Sequence, residues 1–312
     1  MHSTPVIAVV GTTASGKSDL AVSLAEALGG EVVNADSMQF YKGLNIGAAK
    51  LTAAEMRGIP HHLLDVLDLD RPADVAWFQH TARGVVDRVR ATGRAVILVG
   101  GSGLYLRSVL DELRFPPASA SLRQDLDAEL ERIGSAGMHA RLLAAAPEVG
   151  ARIPAGNGRR VVRALEILTL TGEPPPTALP EPRYVYPAVQ IGLSVPRDVL
   201  HRQIAARLYR MWNNGLVDEV RDLLSRGLRD NPAARQALGY AQIIRHLDGE
   251  CSAEQAYLET LRKTKQFAKR QQTWLRRDPR ITWLEHSRPD LVEAALAVVQ
   301  QHETSSLTGP HS

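Results

Sequence analysis

The sequence predicts an α/β protein, a parallel sheet flanked by helices and interrupted by a mainly helical insertion, and three observations carry that prediction. First, the β-rich run "PVIAVV" leads through a glycine-rich loop, "GTTASGKS", into the helical stretch "SDLAVSLAEAL". Second, further apolar runs alternate with helical periodicity, the pattern of a parallel sheet covered on both faces. Third, this alternation lapses from Leu122 to about Leu170, where the period is helical and no strand is convincing. Together these describe a P-loop NTPase-like core carrying an insertion.

Taken in order, "PVIAVV" is the first strand and "EVVNADS" a second, ending in a polar cluster. "GRAVILVGGSGLY" is a third strand running into a glycine-rich turn and a helix. After "RFPPASAS" the helical insertion begins, and the proline-rich "TGEPPPTALPEPR" closes it as a hinge. "AVQIGLSV" then returns to the sheet as one more strand. From Arg197 to about Asp278 the chain reads as helical, with breaks at "GL" and "LG". The expected boundaries are 1–118 and 187–300 for the core, 119–186 for the insertion and 301–312 for a disordered tail. No internal repeat is evident.

Among the 312 residues, 44% are hydrophobic and 23% charged, which is ordinary for a soluble globular chain. The longest apolar runs fall far short of a membrane span. The first strand begins within five residues, so no signal peptide is expected. One cysteine, Cys251, cannot form an internal disulfide or a zinc site, and a cytoplasmic location is expected. The net charge of +3 is small, and its distribution says more than its total.

Gly11, Gly16, Lys17 and Ser18 fit the phosphate-binding pattern G-x-x-x-x-G-K-[ST]. Backbone N–H groups and the helix N-terminus would face an anion, Lys17 would supply a point charge, and the Ser18 hydroxyl would hold Mg2+. The run "AVILV" ends in "GGSG" without an acid, which weighs against an ATP hydrolase. Asp36 lies just past the second strand, where the C-terminal strand ends of a parallel sheet form a crevice. It is a candidate general base, or else a cap on the following turn, a place Ser37 could take equally. Asp65 is a weaker acidic candidate, and His61 and His62 read as structural.

Basic residues gather late in the chain. "RKTKQFAKRQQTWLRRDPR", Arg262 to Arg280, carries eight Lys or Arg against one acid, with Phe267 and Trp274 interleaved. On a helix Arg262, Lys265, Lys269 and Arg276 share or adjoin a face, a footprint suited to a phosphodiester backbone. In the insertion, "RRVVRALE" sets Arg159, Arg160 and Arg163 beside an apolar stripe of Val162, Leu165 and Leu168. Two such helices could clamp a folded RNA. Charge alone leaves open a solvated face or an interdomain surface, and does not separate RNA from DNA.

In series, "GTTASGKS", "NADSMQFYKGLNIGAAK", "IPHHLLD", "VGGSGLYLRSVL", "RRVVRALE", "RQALGYAQ" and "TKQFAKRQQTWLR" resemble the tRNA dimethylallyltransferase (isopentenyltransferase) family of bacterial type. They occur in family order from Val6 to about Leu284, and the zinc-finger extension of some eukaryotic relatives is not expected in a bacterial-type enzyme. The resemblance implies transfer of a dimethylallyl group from its diphosphate to the exocyclic amine of the adenine beside the anticodon. By the same resemblance Gly11, Thr12, Thr13, Ala14, Ser15, Gly16, Lys17 and Ser18 would hold the diphosphate, with Mg2+ at Ser18. Thr13 would donate to the bridging oxygen, Arg207 would neutralise the leaving diphosphate, and Asp36 would take the amine proton. Contacts to the tRNA anticodon stem-loop would come from Asp36, Ser37, Met38, Gln39, Ser102, Arg123, Arg160, Gly239 and Tyr240. The two basic helices would add Arg159, Arg163, Lys265, Gln266, Lys269 and Arg270. Met38, Phe40 and Tyr240 are also plausible packing residues. A monomer is expected, with no membrane partner.

Four places depart from the family pattern: Thr12 for proline, Asn45 for aspartate, Ser102 for threonine, and "PAGN", Pro154 to Asn157, for His-Pro-Asn-Asp. Three other functions fit parts of the same evidence. They are a small-molecule kinase with ATP in the loop, a prenyltransferase acting on free AMP or ATP, and an RNA-binding scaffold with a vestigial loop.

Overall fold

A computed structural model describes residues 5–71, 73–176 and 178–307. Before the insertion the chain forms β1 (Val6–Val10), α1 (Lys17–Leu28), β2 (Glu31–Asn34), β3 (His61–His62), α2 (Val75–Ala91), β4 (Val96–Gly100) and α3 (Gly103–Leu110). The insertion holds α4 (Ala120–Ala145), α5 (Pro147–Gly150) and α6 (Gly158–Thr171). After it come β5 (Ala188–Ser194), α7 (Arg197–Asn213), α8 (Leu216–Ser225), α9 (Tyr240–Leu247), α10 (Ala253–Leu275), β6 (Ile281–Glu285) and α11 (Leu291–Leu307). The chain divides into two compact units, one formed by the segment up to Glu112 with that from Pro182 onward, the other by Leu113–Glu181.

The first unit is built on a six-stranded sheet in the order β3-β2-β4-β1-β5-β6, parallel throughout. β1 sits at its centre with all five residues fully buried, as a strand covered on both faces must be. Val6, Ala8 and Val10 face a core that includes Phe40, Phe78, Leu98 and Leu106, while Ile7 and Val9 face Leu20, Leu24, Ala295 and Val299. Parallel pairing brings Val10, Gly100 and Gly192 to one level, so the loops after β1 and β4 leave the same end of the sheet.

Two strands were not expected. β3 has two residues, and β6 is an edge strand in which only Ile281 and Leu284 are buried, so neither shows the apolar run that marked the others. The expected tail at 301–312 also needs correction. α11 is anchored on the sheet by Ala295 and Val299, and its ladder simply continues to Leu307. Residues 308–312 lie outside the described residues.

The second unit has its own core, formed by Leu126, Met138, Leu142, Val149, Val161, Val162 and Leu165. Gly134, at φ +73°, breaks α4, and Asn157 caps α6 by accepting the Arg160 N–H at 3.3 Å. The "PAGN" departure therefore still ends in a working helix cap.

Candidate active site

The loop from Gly11 to Ser18 joins β1 to α1 and turns through two left-handed residues, Ala14 (φ +62°) and Gly16 (φ +90°). Close packing constrains it too: a Cβ on Gly11 would lie 2.5 Å from Ser15 Oγ. That Oγ is buried with no hydrogen-bond partner. Thr12 is buried, and Lys17 Nζ donates to the Thr12 carbonyl at 3.2 Å. The Thr13 N–H donates to Gln271 Oε1 at 2.9 Å, and Arg207 Nη1 donates to Thr13 Oγ1 at 3.4 Å. A cleft of about 400 Å³ opens beside the loop, lined by Ser15, Gly16, Leu193, Gln203, Arg207 and His286 among others.

Lys17, Arg207 and Asp36 feel one another's charge. Burial, then the Arg207 charge, lowers the Lys17 pKa to about 8, and Asp36 opposes the shift. Burial likewise lowers the pKa of Arg207, with Asp36 again opposing. Two cations and one carboxylate thus act on one another beside the loop, leaving a net positive charge to meet an anion.

Asp36 follows β2 and caps the 3₁₀ turn Ser37–Phe40, its Oδ1 accepting the Met38 N–H at 3.1 Å. The cap is Asp36, not Ser37. Ser37 instead bonds the hydroxyl of Tyr105, whose pKa burial pushes up to about 12. Gln39 Nε2 donates to the Ala48 carbonyl at 3.0 Å, and Met38 is half-buried against the core. Phe40 is fully buried and stacks on Phe78 with ring centroids 5.3 Å apart.

The turn after β4 explains "GGSG". A Cβ on Gly101 would sit 2.3 Å from the Gln271 amide, and one on Gly103 would sit 1.6 Å from the Trp274 ring. α10 therefore lies directly on this turn, beside the half-buried Ser102, and Gln271 reaches on to the phosphate loop. The opposite face of α10 shows Gln266, Lys269 and Arg270 to solvent, with Lys265 half-buried. The Lys265 charge helps lower the pKa of His201, after burial.

Three of the residues expected to contact RNA have partners within the protein. Tyr240 is fully buried and donates its hydroxyl to Glu219 Oε1 at 2.7 Å, so its ring packs and has no surface to offer. Gly239, at φ +89°, starts the helix that places it. Arg123 and Arg163 both pair with Glu166, which is fully buried, and Arg163 also donates to the Pro116 and Pro117 carbonyls. Satisfying that carboxylate commits both guanidiniums to holding the insertion together. Arg159 and Arg160 are exposed on α6.

Sequence reasoning missed Gln271, Glu219, Glu166 and Asn34. Glu219 accepts the N–H groups of Asn45, Ile46 and Gly47 at 2.6–3.1 Å. Asn45 thus contributes its backbone to that network while its side chain accepts from Lys50. Gln271 sits within the basic run 262–280, where the charges and aromatics carry the sequence signal and a neutral amide does not. His61 and His62 form β3, and His62 pairs with Glu31 at 2.6 Å, the structural role expected. Asp65 is paired with Lys50 at 2.5 Å.

Among the described residues no cluster of three or more His, Cys, Asp or Glu could cage a metal. Ser18 lies on the first turn of α1 beside the loop, and its hydroxyl is the group there that would hold an Mg2+ ion.

A parallel sheet with a glycine-rich loop running into a helix, and cations and a carboxylate beside that loop, defines a P-loop-type fold. The model of the IPP transferase family matches residues 39–278. The chain belongs to that family and is a prenyltransferase. It is 54% identical to the tRNA dimethylallyltransferase of Thermobifida fusca (strain YX) over 302 residues, covering 95% of each chain. It is 52% identical to that of Streptomyces coelicolor over 303 residues, covering 96% of this chain and 97% of the relative. Among solved structures it is similar to the tRNA isopentenylpyrophosphate transferase of Bacillus halodurans, at 36% identity and a TM-score of 0.72, covering 97% and 99% of the two chains. It shares its fold with a eukaryotic dimethylallyltransferase acting on tRNA, at 24% identity and a TM-score of 0.81, covering 99% of this chain and 81% of the other. The kinase and scaffold alternatives are thereby set aside.

Proposed function

We propose that the protein transfers a dimethylallyl group from dimethylallyl diphosphate to the exocyclic amine of the adenine next to the anticodon in tRNA. The observation that carries this reading is the charge coupling of Lys17, Arg207 and Asp36 beside the phosphate loop, with Arg207 reaching Thr13 Oγ1 and Lys17 the Thr12 carbonyl. The loop from Gly11 to Ser18 and the α1 N-terminus bind the diphosphate, with Lys17 and Arg207 matching its charge. Thr13 lies against Arg207 and donates to the oxygen that bridges carbon and phosphorus. Mg2+ at Ser18, when bound, neutralises part of the charge left on the diphosphate.

The adenine nitrogen attacks the allylic carbon, the carbon–oxygen bond breaks, and the diphosphate leaves with the bonding electron pair. Asp36 takes the proton that the amine loses. That amine is a weak nucleophile because its lone pair is delocalised into the ring, so base and leaving-group stabilisation act together. The base must leave its stack to reach Asp36. Exposed Arg159, Arg160, Gln266, Lys269 and Arg270 supply backbone contacts, and Ser37, Met38, Gln39 and Ser102 surround the entering base. The enzyme acts as a monomer in the cytoplasm, where tRNA and a reduced Cys251 belong.

The test is mass spectrometry of tRNA nucleosides after incubation with dimethylallyl diphosphate and Mg2+, with free AMP as a competing acceptor. The expected result is a dimethylallyl gain on one adenosine of tRNA. Prenylation of AMP at an equal rate would overturn the RNA acceptor, and no gain on either would overturn the reaction.

A further inference from the structure

We infer that Asn34 is a positioning residue for Asp36, acting on the proposed base by clamping the backbone on both sides of its Cα. The inference rests on the role proposed for Asp36. Asn34 is the last residue of β2, where it lies opposite Val99 of β4, and it is only 3% exposed. Its Oδ1 accepts the Asp36 N–H at 2.9 Å. Its Nδ2 donates to the Asp36 carbonyl at 3.0 Å and to the Leu63 carbonyl at 3.0 Å. Both amide hydrogens are used, and so is one side of the oxygen.

The geometry gives these bonds a purpose beyond filling a buried amide. The two bonds to Asp36, together with the Gln39 N–H that reaches the same carbonyl at 3.1 Å, fix the peptide planes before and after its Cα at φ −108° and ψ +115°, and hence the direction of its Cα–Cβ bond. The Met38 N–H then holds one carboxylate oxygen, leaving the other oxygen as the one to receive a proton. The third bond ties this unit to Leu63, a non-glycine residue at φ +61°. Asp36 stands on a loop, and a loop carboxylate wanders unless something buried holds it. Asn34 transmits the rigidity of β2 to it, and misplacement by about 1 Å can cost on the order of 10²-fold in rate.

The test is a double-mutant cycle in the full-length enzyme, reading kcat and KM for both substrates. Asn34→Leu, which keeps the size but makes none of the three bonds, is expected to lower kcat by about 10- to 100-fold with little change in either KM. Asn34→Ser, whose hydroxyl can still accept the Asp36 N–H, is expected to recover part of that loss, and it serves as the cycle partner if Asn34→Leu does not fold. In an Asp36→Asn background either substitution should cost less than about 2-fold more, because the group being positioned is already inert. Equal losses in both backgrounds would make Asn34 merely structural and overturn the inference while leaving Asp36 as base. Full activity of Asp36→Asn alone would overturn the base itself, and the inference with it.

Discussion

Gln271 Oε1 accepts the Thr13 N–H at 2.9 Å across 258 residues of sequence, so the helix that shows Lys269 and Arg270 to solvent also grips the phosphate loop. A surface suited to nucleic acid and a loop suited to diphosphate thus share one rigid element. Gln271→Leu removes the acceptor and leaves the Thr13 N–H without its partner. The expected outcome is a rise of about 5- to 20-fold in KM for dimethylallyl diphosphate, as for loss of a buried hydrogen bond, with a much smaller change in tRNA affinity. Steady-state kinetics with each substrate varied in turn check it; equal rises for both substrates would contradict a role confined to the loop.

Asp36 has two duties, capping the Ser37–Phe40 turn and accepting a proton, and alanine would remove both at once. Asp36→Asn keeps an oxygen for the Met38 N–H while removing the basic carboxylate. Turnover should fall by about 10²- to 10⁴-fold, with the thermal midpoint and tRNA affinity close to those of the parent. Single-turnover rates together with a melting curve provide the check.

Lys17 has its pKa lowered from 10.5 to about 8 by burial, with the Arg207 charge contributing. Raising the pH through about 8 removes the Lys17 charge from the free protein, and diphosphate binding then has to take up a proton. Affinity for inorganic pyrophosphate should therefore decline above that pH, and Lys17→Arg should flatten the profile because a guanidinium stays charged. The sign for stability is opposite. Between about 8 and 10.5 the unfolded chain holds this proton and the folded one does not, so the Lys17 contribution to stability rises with pH. Lys17→Met should accordingly raise the thermal midpoint near pH 7 and lose that advantage by about pH 10.5. Calorimetric titrations and melting curves across this range test both signs.

Lys269 and Arg270 are exposed, whereas Arg123 and Arg163 are committed to Glu166. Reversing charge at Lys269 and Arg270 should weaken tRNA binding and lower the slope of log K against log salt by about two. Arg163→Glu should instead destabilise the insertion, by about 3 kcal/mol, since it sets an unpaired carboxylate beside buried Glu166. Filter binding at several salt concentrations and hydrogen exchange over 119–171 separate the two effects. An unchanged salt slope would return α10 to an ordinary solvated face.

Features written in consecutive residues were legible from the chain alone. The phosphate loop is eight residues long, and its glycines and Lys17 act through their own backbone and charge, so the pattern carries its chemistry with it. β1, β2, β4 and β5 announce themselves as buried apolar runs, whereas β3 and β6 are too short or too exposed to do so. Asp36 could be placed because it follows a strand directly, while Arg207 stood out only through family resemblance.

What the sequence by itself determined is therefore the sheet, the loop on it, the helical character of the insertion and the basic nature of α10. Only the tertiary structure decided which side chains serve the site and which serve the packing. Gln271 belongs to the loop, Trp274 needs the bare Gly103, Tyr240 is inside against Glu219, and Arg123 and Arg163 turn inward to Glu166. The reason is physical: periodicities of 2 and 3.6 tell which face of an element is apolar, but not which distant element will cover it. A glutamine and a threonine 258 residues apart become partners only when a helix is seated against a turn, and that seating is a property of the whole core.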